Sequence, residues 1–243
     1  MKTKNEELAV AVVEDKKEVS TEVASWGAME DLGLAELAVP FIKLVQKTTK
    51  EVDTFGSKPG TFINSLDGEV VGTNEDPLEI IIFGAYMSWL VMKTPLNSDQ
   101  SEFVKFEPLT VENANLRYEE MTPEGKITRH RTINYYCIDR KHVVDGIPAV
   151  ISFNKKALKV GQRLGVIFSK LARIGKTSAH VVIKLTSQFK DEGALKKWYE
   201  PVATISRDAT PEEVAAAKYW YDQTNRLVAT ESNSATEDKD PWE

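Results

Sequence analysis

The residues of this 243-residue chain whose types could do chemistry are aromatic rings interleaved with cations. Tyr86, Trp89 and Lys93 fall in one segment, Arg117 and Tyr118 in the next, and Arg129, Arg131, Tyr135, Tyr136 and Arg140 in a third. Phe153 and Lys155, then Lys184, then Lys197, Trp198 and Tyr199 complete the set. Rings offer faces on which unpaired bases stack, at about 1–3 kcal/mol per base, while Lys and Arg neutralise the phosphates. Taken singly, each ring has the alternative of packing in a core. The candidate contacts to single-stranded DNA are therefore Tyr86, Trp89, Lys93, Arg117, Tyr118, Arg129, Arg131, Tyr135, Tyr136, Lys155, Lys184, Lys197 and Trp198. In an extended strand Arg129, Arg131 and Tyr135 share one face with Ile127, Ile133 and Cys137, and His130 and Tyr136 share the other. Which face is exposed stays open.

Patterns for catalysis or metal binding are missing. His130, His142 and His180 stand in no HExxH or HxE arrangement and no CxxC exists, so no zinc site is expected. The string Ala172-Arg173-Ile174-Gly175-Lys176-Thr177-Ser178 matches the end of a phosphate-binding loop. It lacks the glycine five residues before Gly175, where Lys170 stands, and it leads from a helix pattern into a strand pattern, the reverse of such a loop. Cys137 sits in an alternating strand and reads as a small buried hydrophobe. The neighbouring carboxylates Glu119-Glu120 and Glu212-Glu213 diverge or decorate a helix start, which does not suit acid and base work. The expectation is a binding protein with no catalytic residue, no cofactor and no metal.

The elements that must position these residues are mostly strands. Strand-like segments occupy 41–46, 60–65, 69–72, 78–92, 103–109, 116–121, 126–140 and 149–154, and Thr122-Pro123-Glu124-Gly125 joins two of them as a hairpin. The apolar period then changes to three or four residues through Ala157, Leu158, Gly161, Leu164, Phe168, Leu171 and Ala172, predicting an amphipathic helix with Lys156, Lys159, Arg163, Lys170 and Arg173 mostly off its apolar stripe. A second hairpin is expected from 180–189 through Asp191-Glu192-Gly193 into 195–206. Thr210, Pro211 and Glu213 form a capping-box start for a last helix to about Val228. A short helix is expected between Trp26 and Val39, stopped by Pro40. Strands, one helix and then a hairpin match the mainly β, partly open five-stranded barrel of the oligonucleotide-binding fold. The strands at 41–72 exceed its needs and would extend it; a β-sandwich is the alternative architecture. The domain reading is a flexible acidic segment 1–25, one β-rich domain 26–229 and a disordered acidic tail 230–243.

Charge is distributed unevenly. The net charge of −6 conceals a stretch, 150–200, with eleven cations and three acids, set between residues 1–36 at −5 and 231–243 at −4. Such asymmetry suits a nucleic-acid surface with an interaction tail, and solvated basic faces are the plainer alternative. A single cysteine excludes an intramolecular disulfide and points to a reducing compartment. The start lacks a signal-peptide core, and the apolar run 78–92 is too short and too polar to span a bilayer, so a cytoplasmic location away from membranes is expected.

The C-terminal sequence Glu237-Asp238-Lys239-Asp240-Pro241-Trp242-Glu243 resembles the acidic, aromatic-ended tails of bacterial and phage single-strand-binding proteins, except that the Trp is not last. Pro40 to Thr48, Gly60 to Glu69, and Lys197-Trp198-Tyr199-Glu200-Pro201 before the Thr210-Pro211-Glu212-Glu213 helix also resemble phage single-stranded-DNA-binding proteins. The resemblance implies an oligonucleotide-binding fold and a role in phage replication, recombination or repair. It implies that Asp238, Asp240, Pro241, Trp242 and Glu243 recruit replication or recombination proteins, and a homo-oligomer is possible. The competing expectation is a phage structural or assembly protein with a self-associating β-rich core.

Overall fold

A computed structural model describes residues 39–234 apart from 99, 143–147 and 194–196. The helix expected between Trp26 and Val39, all but its last residue, lies outside the described residues, as do Asp238, Asp240, Pro241, Trp242 and Glu243 of the tail. In chain order the elements are β1 (Phe41–Leu44), α1 (Lys50–Phe55), β2 (Phe62–Asn64), β3 (Val70–Gly72), β4 (Leu78–Pro95), β5 (Glu102–Pro108), β6 (Glu119–Thr122), β7 (Gly125–Asp139), β8 (Ala149–Asn154), α2 (Leu158–Arg173), β9 (Val181–Asp191), β10 (Lys197–Asp208) and α3 (Pro211–Ser234). The strands form one ten-stranded sheet in the order β10-β9-β4-β7-β8-β1-β2-β3, with β5 added to β4 and β6 to β7. Every pair is antiparallel except β1 with β8. The protein is thus mainly β with an open sheet.

The first half of β4 is apolar on both sides because both sides are covered. Leu78, Ile80 and Ile82 pack with Tyr135, Cys137, Phe153, Ile183 and Leu185 beneath Val160 and Leu164 of α2. Ile81 and Phe83 pack with Ile138, Val182 and Ala217 of α3 on the opposite side. The pairing of β4 with β7 shifts register between Ile82 and Gly84, and the bulge re-aims everything that follows. Past it, β4 and β7 run out of the two-sided body as an arm, flanked by β5 and β6. The arm's turn requires glycine: Gly125 has φ +141°, and a Cβ there would sit 2.3 Å from the Thr94 carbonyl oxygen.

The expected Thr210 capping box forms. The Thr210 N–H donates to Glu213 at 2.8 Å and the Glu213 N–H to the Thr210 hydroxyl at 3.3 Å. Arg207 donates to both Glu213 oxygens at 2.8 and 2.6 Å and, as the largest influence, holds this carboxyl below its usual range against the effect of burial. α3 continues to Ser234 rather than ending near Val228, so Glu231–Ser234 belong to the helix and not to the expected tail. No Gly or Pro stands between 229 and 240 to stop it. Helix α1, closed by Gly56 at φ +65°, was not signalled by any apolar period. No helix of the described residues is long and apolar enough to cross a membrane, and the apolar run 78–92 is strand β4.

The surplus strands expected at 41–72 are β1, β2 and β3, laid along β8. Among the described residues no strand pairing joins them to the β9-β10 hairpin, but side chains do. The Gln46 amide donates to the Tyr199 carbonyl at 2.9 Å and accepts from the Tyr199 N–H at 2.7 Å, imitating a strand partner. Ser187 donates its hydroxyl to the Gly60 carbonyl at 2.6 Å and its N–H to Asn74 at 2.9 Å. Gly60, at φ +89°, lets the Tyr199 ring lie where a Cβ would clash at 2.5 Å.

Candidate functional site

Along this side-chain seam runs a groove of about 1150 Å³. β1 and the loop after it supply Phe41, Lys43 and Lys47. The arm supplies Phe103, Phe106, Tyr118 and His130, and the single-turn 3-10 helix between β8 and α2 supplies Lys155 and Lys156. The start of β10 supplies Lys197, Trp198 and Tyr199. Its rings are arranged in contact: Phe41 stacks on Phe106 with centroids 5.5 Å apart, Phe103 tilts against Phe106 at 5.3 Å, and Tyr118 meets His130 edge-on at 5.1 Å. Phe103 and Tyr118 remain 57% and 54% exposed, so their faces are open to a ligand. The Lys156 ammonium lies 3.0 Å from the centroid of Trp198. Ser152 donates to the buried Asn134 at 2.6 Å, which donates to Ser88 at 2.8 Å, so a satisfied polar chain runs inward from the lining.

The charges of the groove are unequal. Lys43 pairs with Glu51 at 2.9 Å and Lys197 with Asp191 at 3.0 Å. Among the described residues Lys47, Lys155 and Lys156 have no carboxylate at ion-pair distance; Lys47 instead lies 5.1 Å from the Phe189 ring. Lys155 has φ +46°, a left-handed conformation that bulky residues rarely adopt and that concentrates at functional positions. Burial lowers the pKa of its ammonium. Burial also lowers that of His130, and the charge of Lys155 beside it lowers it further, leaving a neutral imidazole at pH 7. Anions entering the groove meet Lys155 and Lys156, which have no ion-paired carboxylate among the described residues, while the charge of Lys47 is felt by Asp191.

Of the thirteen candidate contacts the groove gathers Tyr118, Lys155, Lys197 and Trp198. The others are placed elsewhere. Trp89 is 5% exposed and donates its indole N–H to the Asn113 carbonyl at 3.1 Å, so it cannot stack a base. Arg131 lies over Trp89 at 5.5 Å and reaches the Ala114 carbonyl, and Arg129 binds Glu120 at 2.8 Å and the Arg117 carbonyl at 3.4 Å. Both arginines pin the loop 110–118 onto the arm, and the Arg129 side chain is only 13% exposed. Tyr135, at 3% exposure, donates to the Gly161 carbonyl at 2.8 Å inside the core, and its hydroxyl pKa is pushed up to about 12 by burial. Tyr136 packs on Phe83 on the α3 side with ring centroids 6.0 Å apart, and Tyr86 tilts against Tyr136 at 5.2 Å. Burial, aided by Tyr136, pushes Tyr86 up to about 12. Lys93 pairs with Glu124 near the arm's turn, and Arg117 and Lys184 are exposed away from the groove. Cys137 is fully buried, and burial pushes its thiol pKa up.

Phe41, Lys43, Lys47, Phe103, Phe106, His130 and Lys156 also line the groove and are not among the thirteen candidate contacts. The available signal is the run Phe41-Ile42-Lys43-Leu44-Val45-Gln46-Lys47, an aromatic and two lysines on alternating positions, whose approach to β10 no local pattern announces. A family model described as Pam3 phage gp34-like protein matches residues 14–230. No curated protein and no solved structure matches the chain.

Proposed function

We propose that this chain, which belongs to the Pam3 phage gp34-like family, binds single-stranded DNA without sequence preference in phage replication, recombination or repair. The observation that carries the reading is the groove at the seam, where exposed rings stand beside Lys47 and beside Lys155 and Lys156, the last two without an ion-paired carboxylate among the described residues. Rings that stack any base together with lysines that track a backbone are the means of sequence-tolerant binding. The topology supports it. The antiparallel meander β4-β7-β8, the helix α2 and the hairpin β9-β10, with β9 paired to β4, follow the course of an oligonucleotide-binding barrel. Here β1 takes the edge of β8, and Gln46 rather than a strand ladder meets β10. The acidic C-terminal segment, with Pro241 and Trp242, is proposed to recruit replication or recombination proteins, in the host cytoplasm.

Labelled oligothymidylate and duplex of equal length, titrated across salt concentrations, test the reading. Tight, strongly salt-dependent binding to the single strand is expected, and Lys155→Gln with Lys156→Gln lowers the log–log salt slope by about 1.4, at about 0.7 per lost phosphate contact. Equal affinity for duplex, or a slope indifferent to both substitutions, rejects it. A second reading, a self-associating phage assembly protein, is favoured by the arm, where β5 and β6 each have one unpaired edge among the described residues and Val104 and Met121 are exposed. Sedimentation showing large DNA-independent assemblies would select it.

A further inference from the structure

The groove uses only part of the cationic surface. Helix α2 contains no acidic residue, and its outer side carries Lys159, Arg163, Lys170 and Arg173, all exposed. At 3.6 residues per turn these four fall within an arc of about 80°, opposite the side that carries Val160, Gly161 and Leu164 into the core. They extend along roughly 21 Å of helix axis. None has an ion pair or a hydrogen-bond partner for its side chain among the described residues, whereas Lys43, Lys93, Lys126, Lys141, Lys176 and Lys197 all pair with carboxylates. Four like charges on one helical stripe repel one another, a cost that a bound polyanion would relieve. The stripe is continuous with the groove, because Lys155 and Lys156, which line it, belong to the turn that leads directly into α2.

We infer that the α2 stripe is a second phosphate track, taking the backbone of the same DNA strand as it leaves the groove past Lys155 and Lys156. The inference rests on the proposed groove and deepens it. Bases stack in the groove, where the rings are. The large exposed apolar residues here are Val166 on α2 and Ile174 just past its end, and the helix's ring, Phe168, is turned inward against Tyr135 at 5.7 Å, so this contact is to phosphates alone and does not read bases. A strand short enough to be held by the groove never reaches the helix, and a longer one gains contacts there.

Oligothymidylates of about 8 and about 30 nucleotides separate the two parts, since single binding modules cover about 4–16 nucleotides. In the full chain Lys159→Gln, Arg163→Gln, Lys170→Gln and Arg173→Gln together are expected to lower the log–log salt slope for the long strand by about 2 to 3, at about 0.7 per contact, and to leave the short strand's slope unchanged. Arg163→Gln with Lys170→Gln gives half that fall and serves if the fourfold variant loses its circular dichroism. An equal fall for both lengths overturns the inference, because the helix then acts through overall charge and not as a track. So does an unchanged slope for the long strand, which assigns the stripe to an acidic protein surface. The groove is read separately: if Lys155→Gln with Lys156→Gln leaves short-strand binding intact, or if the unaltered chain binds neither length, the groove fails and the track with it.

Discussion

The same two strands, β4 and β7, run through the body and the arm, and what covers them gives them opposite roles. In the body each face meets a helix, so Ile80 and Cys137 on one side and Ile81 and Ile138 on the other are fully buried. In the arm no helix packs among the described residues, and the loop 110–118 covers one face through Trp89, Arg129 and Arg131 while Leu90, Met92 and His130 on the other face line the groove. Arginine and an aromatic on one strand face is thus no sign of a ligand by itself. On the arm that combination fastens a loop, and the ligand-facing surface is the opposite side, where Tyr118 and His130 sit beside lysines from elsewhere in the chain.

The largest effect that would break this contrast belongs to the body. Leu164 is buried between α2 and the sheet, so Leu164→Ala is expected to cost about 2–5 kcal/mol in urea unfolding, transfer and cavity together. A loss well under 1 kcal/mol would show that α2 is not what closes the body. The arm comes next. Arg129→Ala with Arg131→Ala removes the charge-assisted bonds to the loop carbonyls of Arg117 and Ala114 and the pair with Glu120 of β6, and is expected to cost about 1–3 kcal/mol while affinity for single-stranded DNA stays unchanged. Lost affinity at undiminished stability would return the binding face to the arginines and invert the comparison.

Much of the fold could be read from the sequence, because local periods wrote it. The 149–154 strand, the α2 helix, both hairpins and the Thr210 capping box were all signalled by alternation, a three-to-four period or turn residues. The site could be read only in part. Tyr118, Lys155, Lys197 and Trp198 were marked by residue type alone, but the groove is assembled by the seam, where Gln46 meets Tyr199 across 153 positions of sequence. Parity could not choose the arm's faces either. The bulge at Ile82 to Gly84 shifts which β4 residues lie beside which β7 residues, so Trp89 comes to face Arg131 and not His130. Aromatics were ambiguous for a physical reason, since burial and base stacking reward the same flat apolar surface.

The smallest effect concerns His130, where body and arm meet in charge. Its pKa is lowered from 6.5, by burial first and then by Lys155, so the unbound native protein refuses a proton that the unfolded chain accepts just below that value. Stability therefore falls as pH drops from 6.5 toward the lowered native value. Phosphates in the groove act in the other direction, since an adjacent anion favours the imidazolium and raises the pKa in the complex. Binding then takes up a proton. Affinity for single-stranded DNA is expected to rise as pH falls below about 6.5, by no more than about tenfold per pH unit for a single group. His130→Asn removes the titration and should flatten the profile between neutral and mildly acidic pH without changing the salt slope at neutral pH, where the imidazole carries no charge. Fluorescence titrations at fixed ionic strength measure both. If the variant keeps the rise, another group takes up the proton and His130 does not face the phosphates; if the unaltered protein shows none, DNA does not occupy the part of the groove between Tyr118 and Lys155.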